Sequence, residues 1–213
     1  MATTKLKLYN GALQLIGERA LASLSEEREP RRQLDLAWDD GAQRACLEQG
    51  QWRFATRTVR LDHDPALDPE FGYTYAFSKP SDWCCTAAVT NDEYFNSPLL
   101  QYSDEAGYWY ADIDPIYVKY VSDDAAFGGD YSLWPPAFTE YVKAYLCEKI
   151  VRTFKPDMVN EITGLLKQRR LEALNRDAMG SPTKFPPAGS WLRSRMNGSP
   201  SGQDRGSRGR LIG

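Results

Sequence analysis

The hydrophobic pattern of the chain changes twice, from a helical spacing to strict alternation and back to a helical spacing. Apolar residues recur three and four positions apart over residues 4–16, which is typical of a helix that buries one face. Thr3 or Thr4 is placed to cap the start of this helix, and Gly17 stands where a left-handed residue ends one. The N-terminal pattern therefore predicts an amphipathic helix with both ends marked.

Three further helices are predicted from the same spacing and from the residues that start and stop helices. A proline in the first turn costs nothing because that turn has no N–H partner to lose, and a proline further along breaks the helix. The predicted boundaries are Pro30 and Gly50 for the second helix, residues 134–136 and Pro156 for the third, and Asp157 and Gly180 for the fourth.

Between the helical segments, residues 52–61 and 71–77 alternate with the period of two expected of strands. Three further strands are predicted over residues 84–90, 107–111 and 116–121. The last two are separated by Asp112, Asp114 and Pro115. These residues predict a hairpin loop, because an Asp-x-Asp start without the later ligands of a calcium loop is typical of a turn.

Two helices, about five strands and two helices follow one another, which predicts an α+β fold. Helices from the two ends pack most simply as a four-helix bundle, with the strands looped out as an inserted antiparallel β lobe. The predicted domains are residues 1–51 with 134–180 for the bundle, 52–133 for the β lobe, and 181–213 for an extended C-terminal tail.

Charge is distributed unevenly between residues 181–213, hereafter the C-terminal segment, and the rest of the chain. The protein has 26 Lys and Arg and 29 Asp and Glu, a net charge of −3. The C-terminal segment holds six basic residues and one acidic residue, a charge of +5, which leaves −8 for residues 1–180. Its richness in Gly, Ser, Pro and Arg predicts a segment that gains structure only on contact with a neighbouring chain.

The sequence contains no Walker loop and no G-x-S-x-G, G-x-G-x-x-G or H-E-x-x-H motif. His63, the only histidine, lies in a polar loop and is interpreted as solvated. The cysteines form no C-x-x-C pair and are interpreted as buried thiols of a reducing compartment; they are Cys46, Cys84, Cys85 and Cys147. No apolar run approaches the length of a membrane span or a secretory leader. We therefore predict a protein made in a cytoplasm that is not an enzyme and holds neither metal nor cofactor.

Several segments occur in a characteristic order. Residues 8–18 read Leu-Tyr-Asn-Gly-Ala-Leu-Gln-Leu-Ile-Gly-Glu, residues 21–27 Leu-Ala-Ser-Leu-Ser-Glu-Glu, and residues 29–32 Glu-Pro-Arg-Arg. Gln-Trp-Arg-Phe-Ala follows at 51–55, Tyr-Ala-Phe-Ser-Lys-Pro-Ser-Asp-Trp at 75–83, and Trp-Pro-Pro-Ala-Phe at 134–138. In order and spacing they resemble the tail tubular protein A family, the head-to-tail adaptors of short-tailed phages, over roughly residues 5–180.

The resemblance implies a structural virion protein of the phage neck, which is made in the host cytoplasm. Twelve copies would form a ring below the portal protein and line the DNA ejection channel, with the helical bundle as the wall and the β lobe projecting outward or toward the tail. The implied partners are the portal above, nozzle, stopper or tail-tube proteins below, and tail fibres in some members. Genomic DNA would pass through the lumen without sequence-specific binding, and no membrane is involved.

The charge distribution suits such an adaptor, because negative walls repel DNA phosphates while a basic segment fits an acidic portal surface. The candidate docking residues combine arginines that fork onto carboxylates with apolar anchors. They are Trp191, Leu192, Arg193, Arg195, Arg205, Arg208, Arg210, Leu211 and Ile212. The alternatives are another neck component, such as a stopper or head-completion protein, a nucleic-acid-binding module that uses the basic segment, and an enzyme with a dispersed site.

Overall fold

The computed structural model describes residues 3–180, and within them helices at both ends flank a region of antiparallel strands. The predicted α+β class is confirmed. The helices are α1 (Lys5–Leu15), α2 (Glu29–Asp39), α3 (Ala42–Leu47), α4 (Pro136–Phe154) and α5 (Val159–Met179). The strands are β1 (Thr56–Leu61), β2 (Tyr75–Ser78), β3 (Trp83–Thr90), β4 (Ser103–Glu105), β5 (Tyr108–Ala111) and β6 (Ile116–Ser122). Within this part of the chain, no helix is both long enough and apolar enough to cross a membrane.

The boundaries of α1 are those expected from its end signals. The N–H of Lys7 donates to Thr4 Oγ1 at 3.3 Å, which satisfies one of the free donors of the first turn. Gly17 has a φ of +68°, and the N–H of Glu18 reaches back to the carbonyl of Leu13 at 3.0 Å. The predicted N-cap at Thr4 and the left-handed stop at Gly17 are therefore confirmed.

The second predicted helix is wrong as a single helix, because Gly41 divides it into α2 and α3. Gly41 has a φ of +84°, a conformation that an α-helix does not accommodate. Its N–H bonds to the carbonyl of Trp38 at 3.0 Å and closes α2, and its own carbonyl accepts from Ala45 at 2.9 Å and opens α3. The prediction of Asp157 as a helix cap is also wrong, since Pro156–Met158 form a 3-10 turn and no side chain caps α5.

α4 lies at the centre of the helical region and packs against α1, α2, α3 and α5. Because it has neighbours on several sides, its buried face is broad; the buried residues are Phe138, Thr139, Tyr141, Val142, Ala144, Leu146, Cys147, Ile150 and Val151. Trp52 packs against Phe138 with ring centroids 4.7 Å apart, and its indole N–H donates to the carbonyl of Cys46 at 3.1 Å. This aromatic contact joins the end of the third helix to the fourth.

The strands form two three-stranded antiparallel sheets with the orders β1-β6-β3 and β2-β5-β4. The hairpin predicted at residues 112–115 is therefore wrong, because β5 and β6 belong to different sheets. The apolar residues of β5 and β6 instead face one shared interior from the two opposing sheets. That interior is a second hydrophobic cluster, formed by Phe77, Val89, Trp109, Ala111, Ile116, Val118 and Tyr120.

Other strand boundaries also differ from the predicted ones. The strand predicted from residue 52 begins only at Thr56, after a 3-10 turn at Arg53–Ala55, and the one predicted from residue 71 begins at Tyr75. β4 was not predicted, because Ser103–Glu105 is a short polar stretch whose strand character depends on its pairing with β5.

Candidate interaction surface

Three of the four connections between the two sheets lie at the same end of them, and the turn at residues 79–82, which joins β2 to β3, lies at the other end. In the first sheet, β1 and β3 end where β6 begins. In the second sheet, β2 and β4 begin where β5 ends. The pairs that fix this arrangement are Leu61–Ile116, Thr90–Tyr117, Tyr75–Ala111 and Ser103–Tyr110. Residues 62–74, 91–102 and 112–115 therefore gather at one end, which we call the loop end.

The loop end holds the net negative charge of residues 1–180. Its three loops contain eight carboxylates and no lysine or arginine; the carboxylates are Asp62, Asp64, Asp68, Glu70, Asp92, Glu93, Asp112 and Asp114. The remaining residues up to Gly180 contain 20 acidic and 20 basic side chains and are neutral in sum. The folded chain thus concentrates a charge of −8 at one end, where it creates a strong local potential.

Large apolar side chains stand in solvent beside these carboxylates. Phe71 is 84% exposed, Tyr94 74% and Leu100 91%. Single exposed apolar residues are ordinary on protein surfaces, but three of this size on loops of one end form a group that a partner can cover. The loop end therefore offers both charge and apolar area for association.

Hydrogen bonds hold the loops in shape. Asp114 accepts from the backbone N–H of His63 at 2.9 Å, and its other oxygen lies 2.9 Å from His63 Nδ1; these bonds lower the pKa of Asp114. His63 is exposed, as predicted for a loop residue, and its ring is also hydrogen-bonded to Asp114 of a neighbouring loop. Asp112 accepts from Thr74 N and Oγ1 at 3.0 and 3.1 Å. The carboxylates of this end are thereby presented on an ordered scaffold.

Three of the eight carboxylates have no internal role. Among residues 3–180, neither a hydrogen bond nor an ion pair involves the side chains of Asp68, Glu70 and Glu93, and all three are exposed. Asp62, by contrast, forms an ion pair with Arg60 at 2.9 Å. Asp68, Glu70 and Glu93 are therefore free to meet an external cation without cost to the fold.

The interior between the sheets contains a lysine that is almost fully buried. The Lys79 side chain is 5% exposed, pairs with Asp104, and donates to the carbonyl of Glu105 at 2.7 Å. Its Nζ lies 3.8 Å from the centroid of the Trp83 ring. Burial pushes the pKa of Asp104 upward, but hydrogen bonds from Lys79 and Thr86 outweigh burial and leave that pKa below its usual value. This polar group ties β3 to β4 across the gap between the sheets.

The end of the first sheet opposite the loop end is fixed to the helices by Arg44 of α3. Arg44 Nη1 lies 3.0 Å from Asp123 Oδ2, and Arg44 Nη2 donates to the carbonyl of Trp83 at 2.5 Å. A single guanidinium thus joins a helix, the start of β3 and the connection that leaves β6. Because an arginine has several donors in a rigid plane, it fixes this junction in one orientation.

Asp82, in the turn before β3, stabilises the same junction through hydrogen bonds to the strands. It accepts from Ser122 Oγ at 2.5 Å, Arg57 Nη1 at 2.9 Å and Tyr120 Oη at 3.1 Å. Burial acts to raise the pKa of Asp82, but the bonds from Ser122 and Arg57 outweigh it, so the pKa lies below the usual value. The ionised carboxylate is therefore the form that the fold stabilises.

Other residues singled out in the sequence have structural surroundings. Cys46, Cys84 and Cys147 are buried, as predicted, and burial raises the pKa of each thiol to about 12, which makes it unreactive. Cys85 is half-buried. Within residues 3–180, His, Cys, Asp and Glu form no group suited to holding a metal ion. The predicted docking residues, Trp191 to Ile212, lie outside the described residues.

The loop end was not predicted from the sequence, although a signal for it was present. Eight acids occur without one lysine or arginine in segments rich in Pro and Asp. Only the strand registers show that these segments meet at one end. A scan against protein-family models found no matching family, and a search of curated proteins found no match. Fold and surface together define the class: an α+β protein with an acidic, apolar surface at one end of its sheets.

Proposed function

We propose that this protein is a structural subunit of a phage neck, a ring-forming adaptor that connects the portal to the tail and lines the DNA ejection channel. The observation that carries the proposal is the division of the interior into two hydrophobic clusters. One is built mainly from helices of both chain ends, and the other lies between the two sheets. This division supports the proposed separation into a ring wall and an inserted β lobe, which the resemblance to the tail tubular protein A family implies.

The helices supply the wall of the proposed ring. α4 contacts each of the other helices, and this packing supports the proposed bundle, in which α2 and α3, separated at Gly41, would together take the place of one helix. A ring needs rigid walls, and α4 is buried along most of its length. The Arg44 and Asp82 contacts then hold the β lobe in a fixed direction relative to that wall.

The charge of residues 1–180 agrees with a channel that DNA crosses. Residues 1–180 carry a net charge of −8, which lies at the loop end, and their other residues are neutral in sum. The proposed helical wall therefore offers DNA phosphates no net positive charge to which the genome would adhere. The basic C-terminal segment is then the candidate contact with a neighbouring chain of the assembly, such as the portal. Weak contacts of this kind act together when they are repeated around a ring.

The test is a mass measurement of the purified protein alone and after mixing with portal, by light scattering and native mass spectrometry. We expect a monomer or weak oligomer alone and a ring in a complex with portal. A chain truncated after Gly180 is the companion variant and should keep its circular dichroism spectrum but fail to assemble. Absence of any complex with portal would refute the proposal, and a stable closed ring formed without portal would contradict the order of assembly.

DNA-binding measurements on the same purified protein distinguish an adaptor from the alternative, a nucleic-acid-binding module. A DNA complex that weakens steeply with salt, and that is lost on truncation after Gly180, would favour a binding module over an adaptor. For an adaptor we expect no retention of DNA at physiological ionic strength, because residues 1–180 carry a net negative charge.

A further inference from the structure

We propose that the loop end is the docking surface for the C-terminal segment, residues 181–213, of a second copy of this protein. This inference rests on the proposed function, for which it supplies the contact that links one subunit to the next. A basic segment that fits an acidic portal surface fits an acidic surface on the protein itself equally well.

Charge complementarity is the first support. The loop end carries eight carboxylates and the C-terminal segment a charge of +5, while the rest of the chain sums to zero. Each copy therefore has one strongly negative surface and one strongly positive segment. Association of the two neutralises most of both charges and steers the copies toward each other.

Apolar complementarity is the second support. Phe71, Tyr94 and Leu100 stand almost wholly in solvent among the carboxylates. The C-terminal segment interleaves its arginines with apolar side chains; these are Trp191, Leu192, Leu211 and Ile212. Interfaces combine an apolar centre with a polar rim, and the two sequences supply matching parts of both.

Geometry is the third support. The hydrogen bonds of Asp112 and Asp114 keep the loops in place, so docking does not have to order the receptor. Asp68, Glu70 and Glu93 are exposed and form no hydrogen bond or ion pair within residues 3–180. Any chain of 33 residues can reach up to roughly 110 Å when fully stretched, whereas a domain of the size of residues 1–180 has a radius of gyration of about 16 Å. A neighbouring copy is therefore within reach.

The test places a photo-crosslinking amino acid at Phe71 of the full-length chain. Equal amounts of protein with light and heavy nitrogen are mixed, irradiated alone and with portal, and digested for mass spectrometry. We expect crosslinks from the loop end to residues 181–213 in mixed light–heavy pairs, which only two different copies can produce. Crosslinks confined to a single copy, to portal, or to residues outside 181–213 would overturn the inference.

Charge variants give an independent reading. The triple change Asp68→Lys, Glu70→Lys and Glu93→Lys should lower the yield of mixed crosslinks about tenfold. Losing one exposed ion pair weakens the association about twofold, and the loss of three multiplies to roughly this factor. The opposite change in the segment, Arg193→Glu, Arg195→Glu and Arg205→Glu, should restore the yield when both sets are combined. The control is Glu27→Lys, Asp40→Lys and Asp157→Lys, which alters the net charge equally on exposed helical-region residues and should leave the yield unchanged.

The outcomes separate this inference from the function on which it rests. If rings form on portal while the triple loop-end variant assembles and crosslinks like the wild type, the docking surface is wrong and the adaptor stands. If mixed crosslinks form and respond to charge, but no complex with portal appears, the contact stands and the adaptor is wrong.

Discussion

Replacing Lys79 with methionine tests whether the buried polar group between the sheets stabilises the β region. Methionine keeps most of the apolar stem and removes the ammonium group that pairs with Asp104 and lies over the ring of Trp83. A desolvated cation–π contact of this kind contributes about 1–2 kcal/mol. The lost ion pair contributes about 1 kcal/mol more, less than for a fully buried pair because the Asp104 side chain is 32% exposed. We therefore expect the free energy of unfolding to fall by about 2–3 kcal/mol.

The assay is urea unfolding followed by tryptophan fluorescence and by circular dichroism, so that two-state behaviour is checked with two probes. Lys167→Met is the matched control, since Lys167 is exposed on α5, and it should change stability by less than about 0.5 kcal/mol. A cycle with Asp104→Asn should show that the two changes are not additive. If Lys79→Met is neutral or stabilising, the cost of burying the ammonium exceeds its contacts and the reasoning is refuted.

Two further changes test the junction between the strands and the helices. Gly128→Ala should destabilise the protein by about 2–3 kcal/mol, because the new Cβ would overlap the carbonyl oxygen of Ser122 and approach Ala55 Cβ to 2.9 Å. Gly164→Ala, on an open face of α5, should instead stabilise the protein by up to about 1 kcal/mol. Thermal melts of both variants measure the two changes in stability, and equal effects of the two substitutions would contradict the packing argument. Asp82→Asn should remove stability that the ionised carboxylate supplies above the ordinary carboxyl pKa of about 3.9 and that is lost as pH falls through the lowered folded-state pKa. Urea titrations from pH 7 down to pH 2 should therefore show a weaker acid dependence in the variant than in the wild type, and parallel curves would sink the assignment.

The local features of the fold could be predicted from the sequence because they depend on neighbouring residues. The cap at Thr4, the stop at Gly17 and the strands at Trp83–Thr90 and Ile116–Ser122 follow from side-chain chemistry and spacing within a few positions. The sequence predicts Gly41 within a helix because the apolar residues on both sides of it keep the helical spacing. A left-handed glycine leaves that spacing almost intact, so periodicity alone does not reveal the break.

For the candidate site, too, the sequence predicted the local features but not the contacts between distant residues. From the sequence, the docking residues are predicted in the C-terminal segment, where charge and composition change abruptly. Those residues lie outside the described part of the structure. The loop end consists of three separate acidic loops, and each alone looks like an ordinary turn rich in aspartate. Their common position depends on which strands pair, and that pairing joins residues far apart in the chain.

The sequence by itself determined the class of the fold, the ends of the first helix, the burial of three of the cysteines and the separation of opposite charges along the chain. The tertiary structure decided that β5 and β6 belong to different sheets, that Lys79 is buried between them, and that eight carboxylates gather at one end. The physical reason is that periodicity and capping are local properties of the chain. Sheet membership and burial are settled by hydrophobic residues that are distant in sequence and must share one interior.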